Sequence, residues 1–208
     1  IEPNPRYHTC LEAIEQARGQ GADFLLAVGG GSVLDATKFI AAALRYDGED
    51  PWNIMLTFDA LQDALPLGCV LTLPATGSEM NGNAVVSRDD SKEKLFFKSS
   101  KVMPRFSILD PSTTFTLPDR QTANGVVDAY VHVMEQYITV PGVGPLQDRQ
   151  AEAVLRTLIE NGPVCLAEPE NYDARANVMW SATNALNGLL SCGVPGDWTS
   201  HRVGHDLT

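Results

Sequence analysis

An aspartate and a histidine stand four residues apart in the stretch Asn124–His132, which lies within a longer helical pattern. On a helix, side chains at this spacing share one face, with Cβ atoms about 5–6 Å apart. The carboxylate of Asp128 and the imidazole of His132 could therefore close on one divalent metal. The same pair could instead form a hydrogen bond on a half-buried helix face without any metal.

A second pair of histidines, His201 and His205, stands near the end of the sequence, behind Asp197, a candidate helix cap. Asp128, His132 and His201 together supply two imidazoles and one carboxylate. This ligand set suits Fe²⁺ and can also hold Zn²⁺. His201 is far in sequence from Asp128 and His132, so the set depends on a fold that brings the two clusters together.

Three glycines and a serine, Gly29–Ser32, follow the apolar run Ala22–Val28 and precede the helical pattern Val33–Arg45. A buried strand that ends in glycines and opens a helix presents backbone N–H groups at the positive helix end, which is a binding site for phosphate. The dinucleotide-binding fingerprint is incomplete, because Leu34 occupies the position of its third glycine. A tight turn without a ligand is the alternative.

The elements around these residues divide the chain into two parts. Up to Leu117, short apolar runs such as Leu67–Leu73 alternate with helical patterns, as in an α/β fold with a parallel sheet. From Pro118 onward only helical patterns are evident, and breaks between them are expected at Pro141-Gly142, Gly162-Pro163 and Gly193–Gly196. We therefore expect an α/β domain over residues 1–117 and an all-α domain over residues 118–208.

The composition argues against several functions. A formal charge of −11, from 26 acidic and 15 basic residues, leaves no basic surface for nucleic acid. Four widely separated cysteines without a CxxC pair indicate reduced thiols, so we expect a cytoplasmic protein. No apolar run is long enough to cross a membrane. Lys38 and Arg45 are expected to be surface charges, although Lys38 could instead pair with Asp35. The three tryptophans are expected to be packing residues.

Several segments together resemble the iron-containing alcohol dehydrogenase family, whose relatives include glycerol dehydrogenase and dehydroquinate synthase. The matching segments are Gly29–Lys38, Leu73–Glu79, Leu109–Pro111, Thr116–Pro118 and Asp128–His132. The resemblance extends over nearly the whole chain. Within the family, the chain resembles the butanol dehydrogenase and NADPH-dependent aldehyde reductase branch. The segments that indicate this branch are Asn124–Asp128, Glu168–Tyr172 and Asp197–His201.

The resemblance implies an N-terminal α/β domain that holds NAD or NADP and an all-α domain that holds Fe²⁺ or Zn²⁺. The residues implied to contact the nucleotide are Gly30, Gly31, Ser32, Thr72, Asn81, Asn83, Lys94 and Thr116. Asp128, His132 and His201 match three of the four metal ligands of the family. The fourth, a histidine, is expected beyond Thr208, and a first strand region before Ile1, as in a piece of a longer protein.

The implied activity is hydride transfer between NAD(P)H and a small alcohol/aldehyde pair, with the metal polarising the substrate oxygen. His205, one turn past His201, is expected either to relay protons or to be structural. A homo-oligomer is compatible with the sequence. The alternatives are a non-haem iron oxygenase with the same ligand set, a lyase related to dehydroquinate synthase, and a dinucleotide-binding chain without a complete metal site.

Overall fold

The computed structural model describes residues 1–57 and 61–207, with the backbone alone for residues 205 and 206. The described residues form two compact units, Ile1–Leu71 with Ser78–Ile108, and Thr72–Gly77 with Leu109–Thr208. The boundary between the two units lies after Ile108, earlier in the chain than the domain boundary predicted at Leu117. The 3₁₀ turn Pro111–Thr114 packs on a helix of the second unit and therefore belongs to that unit. Which unit holds the coenzyme and which the metal stays a prediction.

The first unit contains helices and two small sheets. Its helices are α1 (Tyr7–Gln20), α2 (Gly31–Ala43) and α3 (Asn53–Leu56). Its strands are β1 (Leu25–Gly30), β2 (Leu67–Leu73), β3 (Asn83–Arg88), β4 (Glu93–Lys98) and β5 (Ser107–Ile108). The last two residues of β2 belong to the second unit. Strand β2 lies between β1 and β5 and pairs with β5 in parallel, while β3 and β4 form an antiparallel hairpin. The predicted α/β fold class is confirmed.

Helix α2 occupies the centre of this unit. It begins at Gly31, directly after Gly30, the last residue of β1. The glycines therefore join the strand to the helix without a loop between them. Most of the apolar side chains of α2 are buried, and Leu34 and Phe39 are fully so. An apolar residue every third or fourth position would bury only one face, whereas α2 is buried nearly all round, as expected of a core helix.

The second unit is helical. Its helices are α4 (Asp119–Tyr137), α5 (Pro145–Ala167), α6 (Tyr172–Ala185) and α7 (Thr199–Leu207). Between Leu109 and Leu207 the structure contains no strand, as predicted for the all-α half. Within the described ranges of both units, none of the helices combines the length and apolar character that a membrane crossing requires.

A buried arginine joins three segments of the second unit. Arg175 on α6 is 3% exposed and donates hydrogen bonds to Thr122 Oγ1 at 2.9 Å, Pro169 O at 2.9 Å and Cys165 O at 3.3 Å. Cys165 lies in the last turn of α5, where carbonyls lack helical partners and the helix dipole is negative. The guanidinium therefore satisfies the end of α5 and ties it to α4.

We expect Arg175→Lys to lower the free energy of unfolding by about 2–3 kcal/mol, because one ammonium cannot reproduce the planar fork that reaches all three acceptors. Urea unfolding followed by circular dichroism measures the change. Arg156→Lys, at an exposed position on α5, is the matched control and should stay within about 0.5 kcal/mol of wild type. Equal effects of the two substitutions would contradict the role assigned to Arg175.

Candidate functional site

Helix α4 presents an acid, an imidazole and a second acid along one face. Asp128, His132 and Glu135 are spaced four and three residues apart, which places them in one stripe of the helix. Asp128 Oδ2 lies 3.8 Å from His132 Nδ1. The side chain of Asp128 is 37% exposed, whereas those of His132 and Glu135 are 6% and 7% exposed. The stripe therefore leads from the surface of the unit into its interior.

The first turn of α7 brings His201 to this stripe. Its Nε2 lies 3.7 Å from Asp128 Oδ1, and its ring stacks on that of His132 with centroids 4.5 Å apart. One ligand-type atom from each of Asp128, His132 and His201 lies within 4.8 Å of the other two. Among the described residues, no other three His, Cys, Asp or Glu side chains meet this condition. The fold thus assembles the three residues predicted as metal ligands.

Glu135, which the sequence analysis did not identify, holds His201 in place. Its Oε1 accepts a hydrogen bond from the backbone N–H of His201 at 3.1 Å, and its Oε2 contacts Nδ1 of the same residue. The backbone carbonyl of Glu135 accepts from the N–H of Asp197 at 2.8 Å. One residue of α4 therefore anchors the segment before α7 and its first turn.

The two imidazoles have pKa values shifted in opposite directions. Burial lowers the pKa of His132, because the charged ring loses its solvation, although the Asp128 carboxylate acts in the other direction. The Asp128 carboxylate beside Nε2 raises the pKa of His201, against the effect of burial, and Glu135 adds to the rise. His132 is therefore neutral at pH 7, which is the form that binds metals, while protons compete more strongly for His201.

The donor atoms fit a divalent metal. Nδ1 of His132 is buried and has no hydrogen-bond partner among the described residues. Leaving such an atom unpaired costs about 1–3 kcal/mol unless a further group meets it. Two imidazole nitrogens and one carboxylate form a set that suits Fe²⁺ and Zn²⁺. The three side chains would therefore hold either ion.

A glycine on α4 brings another segment of the second unit close to His132. A Cβ at Gly125 would lie 2.5 Å from the carbonyl oxygen of Pro74, closer than any normal contact. Because Gly125 has no side chain, the segment Thr72–Gly77 can lie against α4. The backbone of Ala75 there hydrogen bonds with His132 and favours its charged form.

The residues predicted to bind pyrophosphate lie at the start of α2. Gly30 is its N-terminal cap, and no side chain caps the helix end. Gly31 is buried, and Ser32 is half-buried, with its Oγ accepting a hydrogen bond from the backbone N–H of Asn4 at 3.3 Å. The N–H groups of the first turn of α2 therefore have the arrangement that favours an anion.

Asn81 and Asn83, also predicted to line the nucleotide site, are bound to α2 through Lys38. Contrary to the expected surface charge, Lys38 is fully buried. Its Nζ donates to Ser78 Oγ, to Asn81 O and to Asn83 O, each at 2.8 Å. Nζ also lies 3.2 Å from Asn81 Oδ1, which in turn accepts from the N–H of Asn83. The prediction of a surface charge at Lys38 is wrong, because the segment after β2 folds over it.

The other predicted residues are distributed over both units. Lys94 is half-buried on β4 opposite Ser87, and burial lowers its pKa. Thr72, near the end of β2, and Thr116, in an exposed turn, belong to the second unit. The side chain of His205 lies outside the described residues. The roles assigned to these four residues stay predictions.

The tryptophans differ from one another. Trp52 is buried, as predicted for a packing residue, whereas Trp180 is 55% exposed. Trp198 lies beside the candidate ligands, with its ring centroid 5.7 Å from that of His201 and 6.3 Å from that of His132. Trp198 therefore forms part of the surroundings of the site, which the sequence did not predict.

Residues 1–111 match the family described as Iron-containing alcohol dehydrogenase, and residues 122–208 match Fe-containing alcohol dehydrogenase family, C-terminal. The chain belongs to the iron-containing alcohol dehydrogenase family. This membership confirms the resemblance drawn from the motifs of the sequence.

Individual members of the family are similar over the entire chain. The chain is 60% identical to the NADPH-dependent aldehyde reductase YqhD of Escherichia coli (strain K12) and 49% identical to the probable NADH-dependent butanol dehydrogenase 1 of Bacillus subtilis (strain 168). Both matches cover 100% of this chain and 54% of the relative. The crystal structure of E. coli K-12 YqhD superposes with a TM-score of 0.98 at 59% identity, again over 100% of this chain and 54% of the other. The chain thus spans about half the length of these relatives.

Proposed function

We propose that this protein is a metal-dependent oxidoreductase that transfers a hydride between NADPH or NADH and a small aldehyde/alcohol pair. The observation that carries the proposal is the convergence of Asp128, His132 and His201, with Nδ1 of His132 buried and unpaired. Family membership and the activities for which the aldehyde reductase and butanol dehydrogenase relatives are named support the reaction type. They favour a dehydrogenase over an oxygenase built on the same ligand set.

The metal is proposed to be Fe²⁺ or Zn²⁺, held by the three side chains of the second unit. When bound, such an ion supplies Lewis-acid polarisation of the substrate oxygen. Asp128 contributes the negative charge of the ligand set, and burial keeps His132 in the neutral form that offers a lone pair. Glu135 keeps the ring of His201 next to Asp128.

The coenzyme is proposed to bind through its pyrophosphate to the N-terminus of α2, where Gly30, Gly31 and Ser32 present backbone N–H groups without a side-chain cap. The remaining contacts proposed for the nucleotide are Thr72, Asn81, Asn83, Lys94 and Thr116. His205 is proposed to relay a proton to solvent. The cytoplasm is the proposed compartment, in keeping with four cysteines that form no disulfide.

Metal analysis and coenzyme titration of the full-length protein test this proposal together. We expect about one Fe or Zn per chain, binding of NADPH or NADH, and reduction of butanal that stops on chelation and returns when the ion is restored. Protein that binds coenzyme and reduces butanal equally well without metal would contradict the metal-dependent mechanism. Protein that holds metal but oxidises neither coenzyme in the presence of aldehydes would contradict the reaction.

A further inference from the structure

The environment of Glu135 is unusual for an acid on a helix. Its side chain is only 7% exposed, and a carboxylate taken out of water requires strong partners. Both of its oxygens contact His201, one at the backbone N–H and the other at Nδ1. Both partners of the buried carboxylate therefore belong to a single residue of α7, His201.

This arrangement selects one tautomer of His201. An ionised carboxylate can only accept hydrogen bonds, so Nδ1 of the neutral ring must carry the proton. The lone pair is then on Nε2, the nitrogen that lies 3.7 Å from Asp128 Oδ1. Histidines that bind metals commonly donate their other N–H to a carboxylate, which fixes both the tautomer and the orientation of the ring.

The backbone of Glu135 strengthens this positioning. Its carbonyl accepts from the N–H of Asp197, so α4 holds the incoming segment on both sides of Trp198. The next residue, Gln136, is also buried and donates to the carbonyls of His132 and Ala185. The last turns of α4 are thus fixed to α6 as well as to α7, which gives His201 a rigid support.

We propose that Glu135 is a positioning residue that holds His201 with Nε2 directed at Asp128, and that metal affinity therefore depends on Glu135 although it lies outside the ligand set. This inference rests on the proposed function, since it concerns the same metal site. Glu135→Gln keeps the size of the side chain but has one acceptor oxygen for two donors. Its NH₂ group can also meet Nδ1 and stabilise the opposite tautomer, in which Nε2 carries the proton.

The test is the Zn²⁺ affinity of the full-length protein, measured by competition with a chromophoric chelator after removal of bound metal. We expect Glu135→Gln to bind Zn²⁺ about 10–100-fold more weakly than wild type, and Glu135→Asp to fall between them. Glu160→Gln removes the same charge from an exposed position on α5 and serves as the control, with affinity within about twofold of wild type. A lower melting temperature of the metal-free Glu135→Gln protein with unchanged Zn²⁺ affinity would show a structural role and overturn the proposal.

The tautomer of His201 can be measured in the wild-type protein, so this second test does not depend on whether a variant folds. At a pH where the ring is neutral, nitrogen-15 shifts of histidine in the metal-free wild-type protein should place the single proton on Nδ1 of His201. A neutral ring with its proton on Nε2 would overturn the proposal. Failure of the wild-type protein to bind a divalent metal would overturn the proposed function and this inference together. Tight binding by wild type and equally tight binding by Glu135→Gln would overturn this inference alone.

Discussion

Asp128→Asn is expected to lower kcat/KM for aldehyde reduction by roughly 10³-fold and to leave the full-length protein nearly free of metal. The amide has the shape of the carboxylate but lacks its charge, and Asp128 is the one carboxylate of the set. Its Oδ2 lies 3.8 Å from His132 Nδ1 and its Oδ1 lies 3.7 Å from His201 Nε2, so the carboxylate lies beside both imidazoles. Lewis-acid polarisation contributes several kcal/mol to such a reaction, and each 1.36 kcal/mol corresponds to about tenfold in rate.

The control for this substitution is Asp173→Asn, at an exposed position in the first turn of α6. It should retain metal and activity close to those of wild type. Coenzyme affinity should be unchanged in Asp128→Asn, because the proposed pyrophosphate contacts belong to the first unit. An Asp128→Asn protein with full metal content and full activity would show that this acid is not a ligand. Lost coenzyme binding would point instead to general unfolding.

Local spacing explains why the candidate ligands could be predicted. Asp128 and His132 are one helical turn apart, so their proximity follows from α4 alone. The approach of His201 is a tertiary contact, which the residue types suggested and the resemblance to a known family supported. Glu135 carried a weak signal, its place seven residues after Asp128 on the same stripe. A glutamate on a helix is ordinarily solvated, and its role becomes visible only when α7 covers it.

Helix ends show how packing overrides local preferences. Gly162 and Pro163 predicted a break, yet α5 continues through both to Ala167. A Cβ at Gly162 would lie 2.8 Å from the side chain of Val126 on α4, so this glycine permits close contact between the two helices. The tertiary contact compensates for the poor helix propensity of the Gly-Pro pair, which cannot be evaluated from the sequence of α5 alone.

The sequence of α2 contains a signal for the buried position of Lys38. Residues 39–43 of α2 are all apolar, and a helix that is apolar around most of its circumference is typical of a core. A lysine in such a helix must find partners inside the protein. Those partners come from Ser78–Asn83, a segment distant in sequence, so they could not be identified without the fold.

Lys38→Met is expected to destabilise the protein by about 3–5 kcal/mol, the largest effect on stability among these substitutions. The ammonium donates to Ser78, Asn81 and Asn83, and each of these residues would lose its hydrogen bond from Lys38. Asp35, which accepts from Ser78 Oγ at 2.7 Å and from the N–H of Val85 at 3.0 Å, would remain half-buried without a cation nearby. Methionine fills a similar volume, so the loss reports on the polar network rather than on a cavity.

Equilibrium unfolding in urea measures this loss, with Lys101→Met at an exposed position as the control. The control should change the free energy of unfolding by no more than about 0.5 kcal/mol. The double variant Lys38→Met/Asp35→Leu should be more stable than the sum of the two single changes predicts, because it removes both the buried cation and the half-buried acid beside it. A Lys38→Met protein as stable as Lys101→Met would show that the network does not contribute to folding.

The pH dependence of unfolding distinguishes the charge of Lys38 from its shape. Burial lowers the pKa of Lys38 to about 8, whereas the ordinary value of 10.5 applies after unfolding. Between about pH 8 and pH 10.5 the unfolded chain therefore binds more protons at this residue than the folded chain, and stability rises with pH. Below about pH 8 both states carry the charge, and the contribution becomes constant. The free energy of unfolding should rise more steeply over this window in wild type than in Lys38→Met, and identical slopes would contradict a buried ammonium.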